Sequence, residues 1–140
     1  MIVVGKTNSG KTTLVQALLG QKLIDCKTQS AEYYEGIIDL PGEYLENPRY
    51  YGAIITLSQE ASCIILVHDV TSEESCFPPN FGCMFNARIV GVITKLDLHH
   101  TAQELTNAEQ ILGQAGASEV VAVSAMTDEG LCSLKKLLNV

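Results

Sequence analysis

The run Gly5-Lys6-Thr7-Asn8-Ser9-Gly10-Lys11-Thr12 meets every fixed position of the phosphate-loop pattern G-x-x-x-x-G-K-[ST]. Gly5 and Gly10 allow backbone angles that a Cβ opposes. The N–H groups along Asn8, Ser9, Gly10, Lys11, Thr12 and Thr13 can therefore turn inward on phosphate oxygens. The loop opens into an apolar-periodic segment, so a helix N-terminus adds its free N–H groups and its dipole. Lys11 is expected to reach the β- and γ-phosphates as the catalytic cation, and Thr12 to ligate Mg²⁺ through its hydroxyl. The plain alternative, a Gly-rich turn with no ligand, fits the strand-loop-helix context poorly.

Asp39-Leu40-Pro41-Gly42 follows the apolar pair Ile37-Ile38, so Asp39 stands at the carboxyl end of a strand. A D-x-x-G there holds Mg²⁺ through the Asp and senses the γ-phosphate through the Gly42 N–H. Alone the pattern is an ordinary turn; between two other nucleotide motifs it gains meaning. Thr94-Lys95-Leu96-Asp97 ends the strand Ile89–Thr94 and has the form of a guanine-reading loop. Asp97 can accept from N1–H and the exocyclic amine of guanine, donors that adenine lacks in that arrangement. Lys95 would lay its stem along the base plane. Thr94 takes the place usually held by Asn. Ser124-Ala125-Met126 stands where a further loop would offer the Ala125 N–H to the guanine oxygen. Thr28 is the candidate for the threonine that closes on Mg²⁺ and the γ-phosphate. Glu43 follows D-x-x-G, where many GTPases carry a water-orienting Gln. A carboxylate beside the γ-phosphate predicts slow hydrolysis. Asn8 occupies the position that in some GTPases helps hold K⁺ beside the phosphates; otherwise it shapes the loop. His99 and His100 near Asp97 suggest a metal only weakly, because Asp97 is committed to the base.

These loops need strands to end where they begin, and the sequence supplies them. Met1–Val4, Cys63–Val67, Ile89–Thr94 and Val120–Val123 are short apolar runs of the kind buried on both faces of a parallel sheet. Ala31–Tyr34 and Gly36–Leu40 read as a hairpin turning at Glu35-Gly36. Helical periods run over Thr12–Leu19, from Asn47-Pro48 through Ser58, over Thr101–Ala115, and through Leu131, Leu134, Leu137 and Leu138. Thr71–Asn86, with Pro78-Pro79, reads as irregular. The alternation predicts an α/β protein, a three-layer α/β/α sandwich around a mostly parallel sheet.

The 140 residues suit one domain, 1–140. A composition 46% hydrophobic and 18% charged is that of a folded protein. A formal net charge of -7 argues against nucleic acid or anionic membrane as partner, both of which demand a basic face. No apolar run is long enough to span a bilayer, and no secretory leader is visible. Cys26, Cys63, Cys76, Cys83 and Cys132 follow no zinc or redox spacing, which fits reduced thiols in a cytoplasmic protein.

In motif order the chain resembles TRAFAC-type small GTPases, and more narrowly the EutP/PduV family of ethanolamine and propanediol utilisation. The family-like stretches are Lys27-Thr28-Gln29, Pro41-Gly42-Glu43-Tyr44 with Glu46-Asn47, Phe77-Pro78-Pro79-Asn80-Phe81 and Gly91 through Asp97. The resemblance covers nearly the whole chain. Leu40 departs from the threonine usual in the family. The resemblance implies a Ras-like P-loop NTPase fold, with a stubby second strand because the chain from Thr28 to Asp39 is short. It also implies a protein in the cytoplasm, beside or on bacterial microcompartments, with a shell component as one candidate protein partner. Two functions compete with a slow GTP/GDP switch. One is a phosphotransferase acting between ATP and a small carboxylate such as acetate. The other is a nucleotide-binding scaffold without turnover.

Overall fold

The structure, a computed structural model, describes residues 1–23 and 29–140. Thr28 lies outside the described residues. The elements in chain order are β1 (Ile2–Gly5), α1 (Lys11–Leu18), β2 (Glu32–Tyr34), β3 (Ile37–Asp39), α2 (Glu43–Glu46), a 3₁₀ turn (Pro48–Tyr50), α3 (Tyr51–Ser58), β4 (Cys63–Asp69), a second 3₁₀ turn (Phe81–Met84), β5 (Arg88–Thr94), α4 (Ala102–Gln114), β6 (Glu119–Ala122) and α5 (Leu131–Leu138). The strands form one sheet in the order β2-β3-β1-β4-β5-β6. β2 pairs antiparallel with β3, and the other pairings are parallel.

Each central strand sends alternate side chains to opposite faces, as the two-residue strand period requires. Ile2, Val4, Ile64, Leu66, Ile89 and Ile93 join one buried cluster with Leu45, Ile54, Ala108, Ile111 and Leu112, so α2, α3 and α4 cover that face. Val3, Ile65, Val67, Val90 and Val92 join the other with Leu14, Val15, Leu18, Leu131, Leu134 and Leu138, so α1 and α5 cover the opposite face. The result is the expected three-layer sandwich. Gly91 lets α4 approach β5: a Cβ there would lie 3.0 Å from Leu112 Cβ. Thr101 caps α4 as one half of a capping box. Its hydroxyl accepts from Glu104 N at 3.1 Å, and Glu104 accepts from Thr101 N at 3.2 Å.

The Thr71–Asn86 stretch is anchored more firmly than its prolines suggest. Phe81 is buried and meets Phe77, Phe85 and Tyr51 with ring centroids 5.7, 5.2 and 5.5 Å away. Its backbone is tied to the end of α4 by Asn80 N to Gln114 O and Gly82 N to Ala115 O, at 2.8 and 2.7 Å.

Strand order reverses at β1. The chain leaves β1 for the β2–β3 side and returns on the other side at β4. The carboxyl ends of β1, β3, β5 and β6 share one edge of the sheet. The loops after them therefore gather at the switch point, where open α/β sheets bind ligands.

Candidate functional site

The phosphate loop joins β1 to α1. Its first glycine has no room for a side chain: a Cβ on Gly5 would lie 2.7 Å from Val67 O and 2.8 Å from Ser9 Oγ. Asn8 and Gly10 hold φ of 63° and 92°, the left-handed conformations that bend the loop back on itself. Asn is one of the few side-chain-bearing residues that tolerates this region, which explains Asn8 without any ion. Ser9 N donates to Lys6 O at 3.1 Å and closes the turn. Lys11 is buried, and its ammonium donates to Lys6 O at 2.8 Å. Burial depresses its pKa, and the charges of Asp39 and Glu46 pull it partly back.

Thr12 and Asp39 meet at the base of the loop. The Thr12 hydroxyl donates to Asp39 Oδ2 at 2.5 Å, and Asp39 is fully buried. This pair of hard oxygen donors suits a hard cation such as Mg²⁺. Gly42, at the head of α2, lies against the loop so closely that a Cβ would stand 2.2 Å from Thr7 N. Leu40, the residue that departs from the family pattern, is fully buried in the core cluster under α2 and α3. Glu43 is exposed on the first turn of α2. The α2 carboxylate that touches the phosphate loop is Glu46, which accepts the Thr7 N–H at 2.8 Å.

The residues after β5 lock the base loop to the phosphate loop. Thr94 is buried, and its hydroxyl donates to Ser9 O in a short hydrogen bond. Lys95 donates to Asn8 O at 2.5 Å and pairs with Asp69 at 2.9 Å. Lys95 holds φ of 61°, which turns its side chain back over the loop. Burial raises the Asp69 carboxyl, but hydrogen bonds from Lys95 and Thr71 outweigh it and leave the pKa lowered. Asp97 is exposed, and its Oδ1 accepts from Ser124 Oγ at 2.7 Å. Ser124 Oγ in turn accepts from Thr127 N at 3.2 Å, so Asp97 is oriented by the loop after β6.

A cavity of about 260 Å³ opens between these loops, lined by Thr13, Leu14, Asp97, Leu98, Ala125 and Met126 among others. Among the described residues, Asp97 is the one carboxylate on its lining. Its walls carry two of the most exposed large apolar side chains of the described residues, Leu98 and Met126. A flat ring between apolar walls with a carboxylate at its edge is the arrangement a guanine needs. A second cavity, about 200 Å³, lies on the other side of the phosphate loop against Lys6, Asn8, His68, Ser72, Phe77 and Lys95.

The structure therefore brings together Gly5, Asn8, Ser9, Gly10, Lys11, Thr12, Thr13, Asp39 and Gly42 on the phosphate side. It brings Thr94, Lys95, Asp97, Ser124 and Ala125 together on the base side. Sequence reading assigned no site role to Glu46, Leu98 or Met126. Met126 closes the recognised Ser124-Ala125-Met126 run and Leu98 follows Asp97 directly, and an exposed apolar residue there was the available signal. Glu46 lies in a family-like stretch but in no nucleotide motif. Among the described residues no group of three His, Cys, Asp or Glu side chains gathers to hold a metal, so His99 and His100 form no such site with Asp97. Cys63, Cys76, Cys83 and Cys132 are free thiols. No helix among the described residues is long and apolar enough to cross a membrane.

Comparison with known proteins identifies the family and the fold. The family model PduV-EutP, described as ethanolamine utilisation and propanediol utilisation, matches residues 1–140. The chain is 36% identical over 139 residues to the propanediol utilization protein PduV of Citrobacter freundii, spanning 99% of this chain and 92% of that protein. It is 36% identical over 120 residues to the probable acetate kinase EutP of Salmonella typhimurium, spanning 84% of this chain and 74% of that one. The crystal structure of a probable GTP-binding protein, engB, superposes with a TM-score of 0.67 at 20% identity, covering 99% of this chain and 95% of that one. The fold is that of the P-loop GTPases.

Proposed function

Because the chain belongs to the PduV-EutP family of ethanolamine and propanediol utilisation, we propose that it is a guanine-nucleotide-binding switch with slow, Mg²⁺-dependent GTP hydrolysis. The observation that carries this reading is the clamp between the two loops. Lys95 on Asn8 O, and Thr94 on Ser9 O, fix a cavity ending at Asp97 directly beside the phosphate loop. One nucleotide can then engage both loops at once.

In this reading Lys11 neutralises charge on the β- and γ-phosphates, and the backbone N–H groups of residues 8 to 13 and Gly42 hold the oxygens. Thr12, Asp39 and Thr28 would hold Mg²⁺, which would offset the remaining phosphate charge. Glu43 would face the attacking water poorly disposed to activate it, hence the slow turnover. K⁺ beside Asn8 would add stimulation; comparing turnover in K⁺ and Na⁺ tests it. The family supports a role in diol or ethanolamine breakdown, and we extend it to a cytoplasmic protein that docks on a microcompartment partner in one nucleotide state. The chain itself, 1–140, forms the single nucleotide-binding domain.

A second reading has specific support. A relative at 36% identity bears the name probable acetate kinase. The cavity on the other side of the loop, whose lining sets Lys6 and the Asp69-paired Lys95 beside Asp69 and Glu74, would offer a small carboxylate a place next to the loop with Lys6 as its cation. In that reading ATP donates its γ-phosphoryl group to the carboxylate.

Calorimetry with GTP, GDP and ATP in the presence of Mg²⁺ separates the two. Guanine binding with little for ATP, lost in Lys11→Ala, supports the switch. Equal ATP binding, with acetyl phosphate formed from acetate, supports the phosphotransferase and sinks the guanine assignment.

A further inference from the structure

Besides Asp39, which accepts from the Thr12 hydroxyl, a second carboxylate touches the phosphate loop, and it comes from a residue that no nucleotide motif contains. Glu46 is the last residue of α2, and its Oε1 accepts the Thr7 N–H at 2.8 Å. Thr7 lies within the loop, between Lys6 and Asn8. Its hydrogen bonds are the main cause that lowers the Glu46 pKa, with Lys6 and Lys11 adding to them. Glu46 in turn is one of two carboxylates whose charge acts on Lys11. A loop built to hold phosphate oxygens is thus engaged by an anion of its own chain.

The segment that carries Glu46 is fixed at both ends. Gly42 presses on Thr7 with no space for a Cβ. Tyr44 stacks on Tyr50 with centroids 4.9 Å apart and planes 5° from parallel, and the Arg49 guanidinium lies 5.0 Å over the Tyr50 ring. The Tyr44–Tyr50 stack thus ties α2 to the 3₁₀ turn that follows it.

Resting on the guanine-nucleotide reading above, we infer that Glu46 competes with the terminal phosphate of the nucleotide and so sets the preference between di- and triphosphate. GDP leaves the Glu46–Thr7 contact in place. A γ-phosphate brings further negative charge beside Lys11, already within the field of Glu46, and two anions at one lysine repel. Triphosphate binding must release Glu46 from Thr7, and the residues joined by the Tyr44–Tyr50 stack shift with it while Gly42 stays against the loop. This couples the identity of the nucleotide to the position of α2 by a named contact.

The test is calorimetric binding of GDP and of the non-hydrolysable GTP analogue GppNHp, with Mg²⁺, to the parent protein, Glu46→Gln and Glu46→Ala. Glu109→Gln, an exposed change on α4, controls for net charge. GDP affinity should stay within about twofold in all four proteins. The ratio of GppNHp to GDP affinity should rise on the order of tenfold in both Glu46 variants and not in Glu109→Gln. An unchanged ratio in the Glu46 variants, or an equal rise in Glu109→Gln, overturns the role of Glu46 while leaving guanine binding intact. Failure of the parent to bind either nucleotide removes the guanine reading, and the Glu46 inference with it.

Discussion

At the scale of single residues, the base side of the site depends on one carboxylate and the hydroxyl that aims it. Asp97 carries two acceptor oxygens, and Ser124 Oγ occupies one of them at 2.7 Å. Asp97 lines the cavity together with Leu98 and Met126, so its second oxygen can serve a base seated there. Replacing Asp97 by Asn converts one oxygen into a donor, and two donors then oppose each other where guanine presents N–H groups. Guanine over adenine selectivity should fall by about 10²-fold or more in Asp97→Asn, with the folding midpoint nearly unchanged because the residue is exposed. Competition binding of GTP against ATP reads this directly, and a selectivity equal to the parent's would show that Asp97 reads no base. On the phosphate side the same logic explains why Lys11 is buried and bonded to a carbonyl: its charge is held in place before any phosphate arrives.

At the scale of elements, what could be read in advance followed from local pattern. Apolar runs of four to six residues located the strands β1, β4 and β5, and each recognised motif stood at a strand's end. The Glu35-Gly36 turn located the hairpin, whose three-residue strands match the shortness of that stretch. The helix of four residues at α2 escaped, because one turn has no period to detect. Its contact with Thr7 escaped too, since a bond spanning 39 positions is set by the sheet and not by the neighbours of Glu46. Lys95 shows the same limit: its motif was visible, but its positive φ and its grip on Asn8 O come from where β5 lies beside β1's loop. Local signals do fix the start of α4. Thr101→Ala removes the acceptor for Glu104 N and half of a reciprocal cap, so it should cost about 1 kcal/mol. That is a lowering of the melting temperature by a few degrees, with nucleotide affinity unchanged. Denaturant melts of the two proteins settle it; an equal midpoint would mean the cap contributes nothing.

At the scale of the whole molecule, a net charge of -7 surrounds a loop that gathers Lys6, Lys11 and Lys95. Acid conditions should therefore act on stability through particular buried groups more than through the overall charge. His68 is the second-last residue of β4 and lines the cavity beside the phosphate loop; it is buried, and its Nε2–H donates to Ser72 O at 3.0 Å. Burial is the main cause that lowers its pKa beneath the ordinary 6.5, although Ser72 and Asp69 favour the proton. Between those two values the unfolded chain takes up a proton that the folded chain refuses, so stability falls as pH drops through about 6.5. Above that pH the group contributes no slope. The Asp69 carboxyl is lowered too, beneath 3.8, by hydrogen bonds from Lys95 and Thr71 that outweigh its burial, so its stabilisation is lost only at more acid pH. The urea midpoint should thus decline in two stages on acidification, the upper one belonging to His68. Gln at position 68 can still donate to Ser72 O through its amide but takes no proton. His68→Gln should flatten the stage that begins near pH 6.5 and leave the lower stage, where Asp69 titrates, in place. Urea unfolding of both proteins from pH 8 to pH 3 measures this, and an upper stage that persists in the variant would assign it to another group.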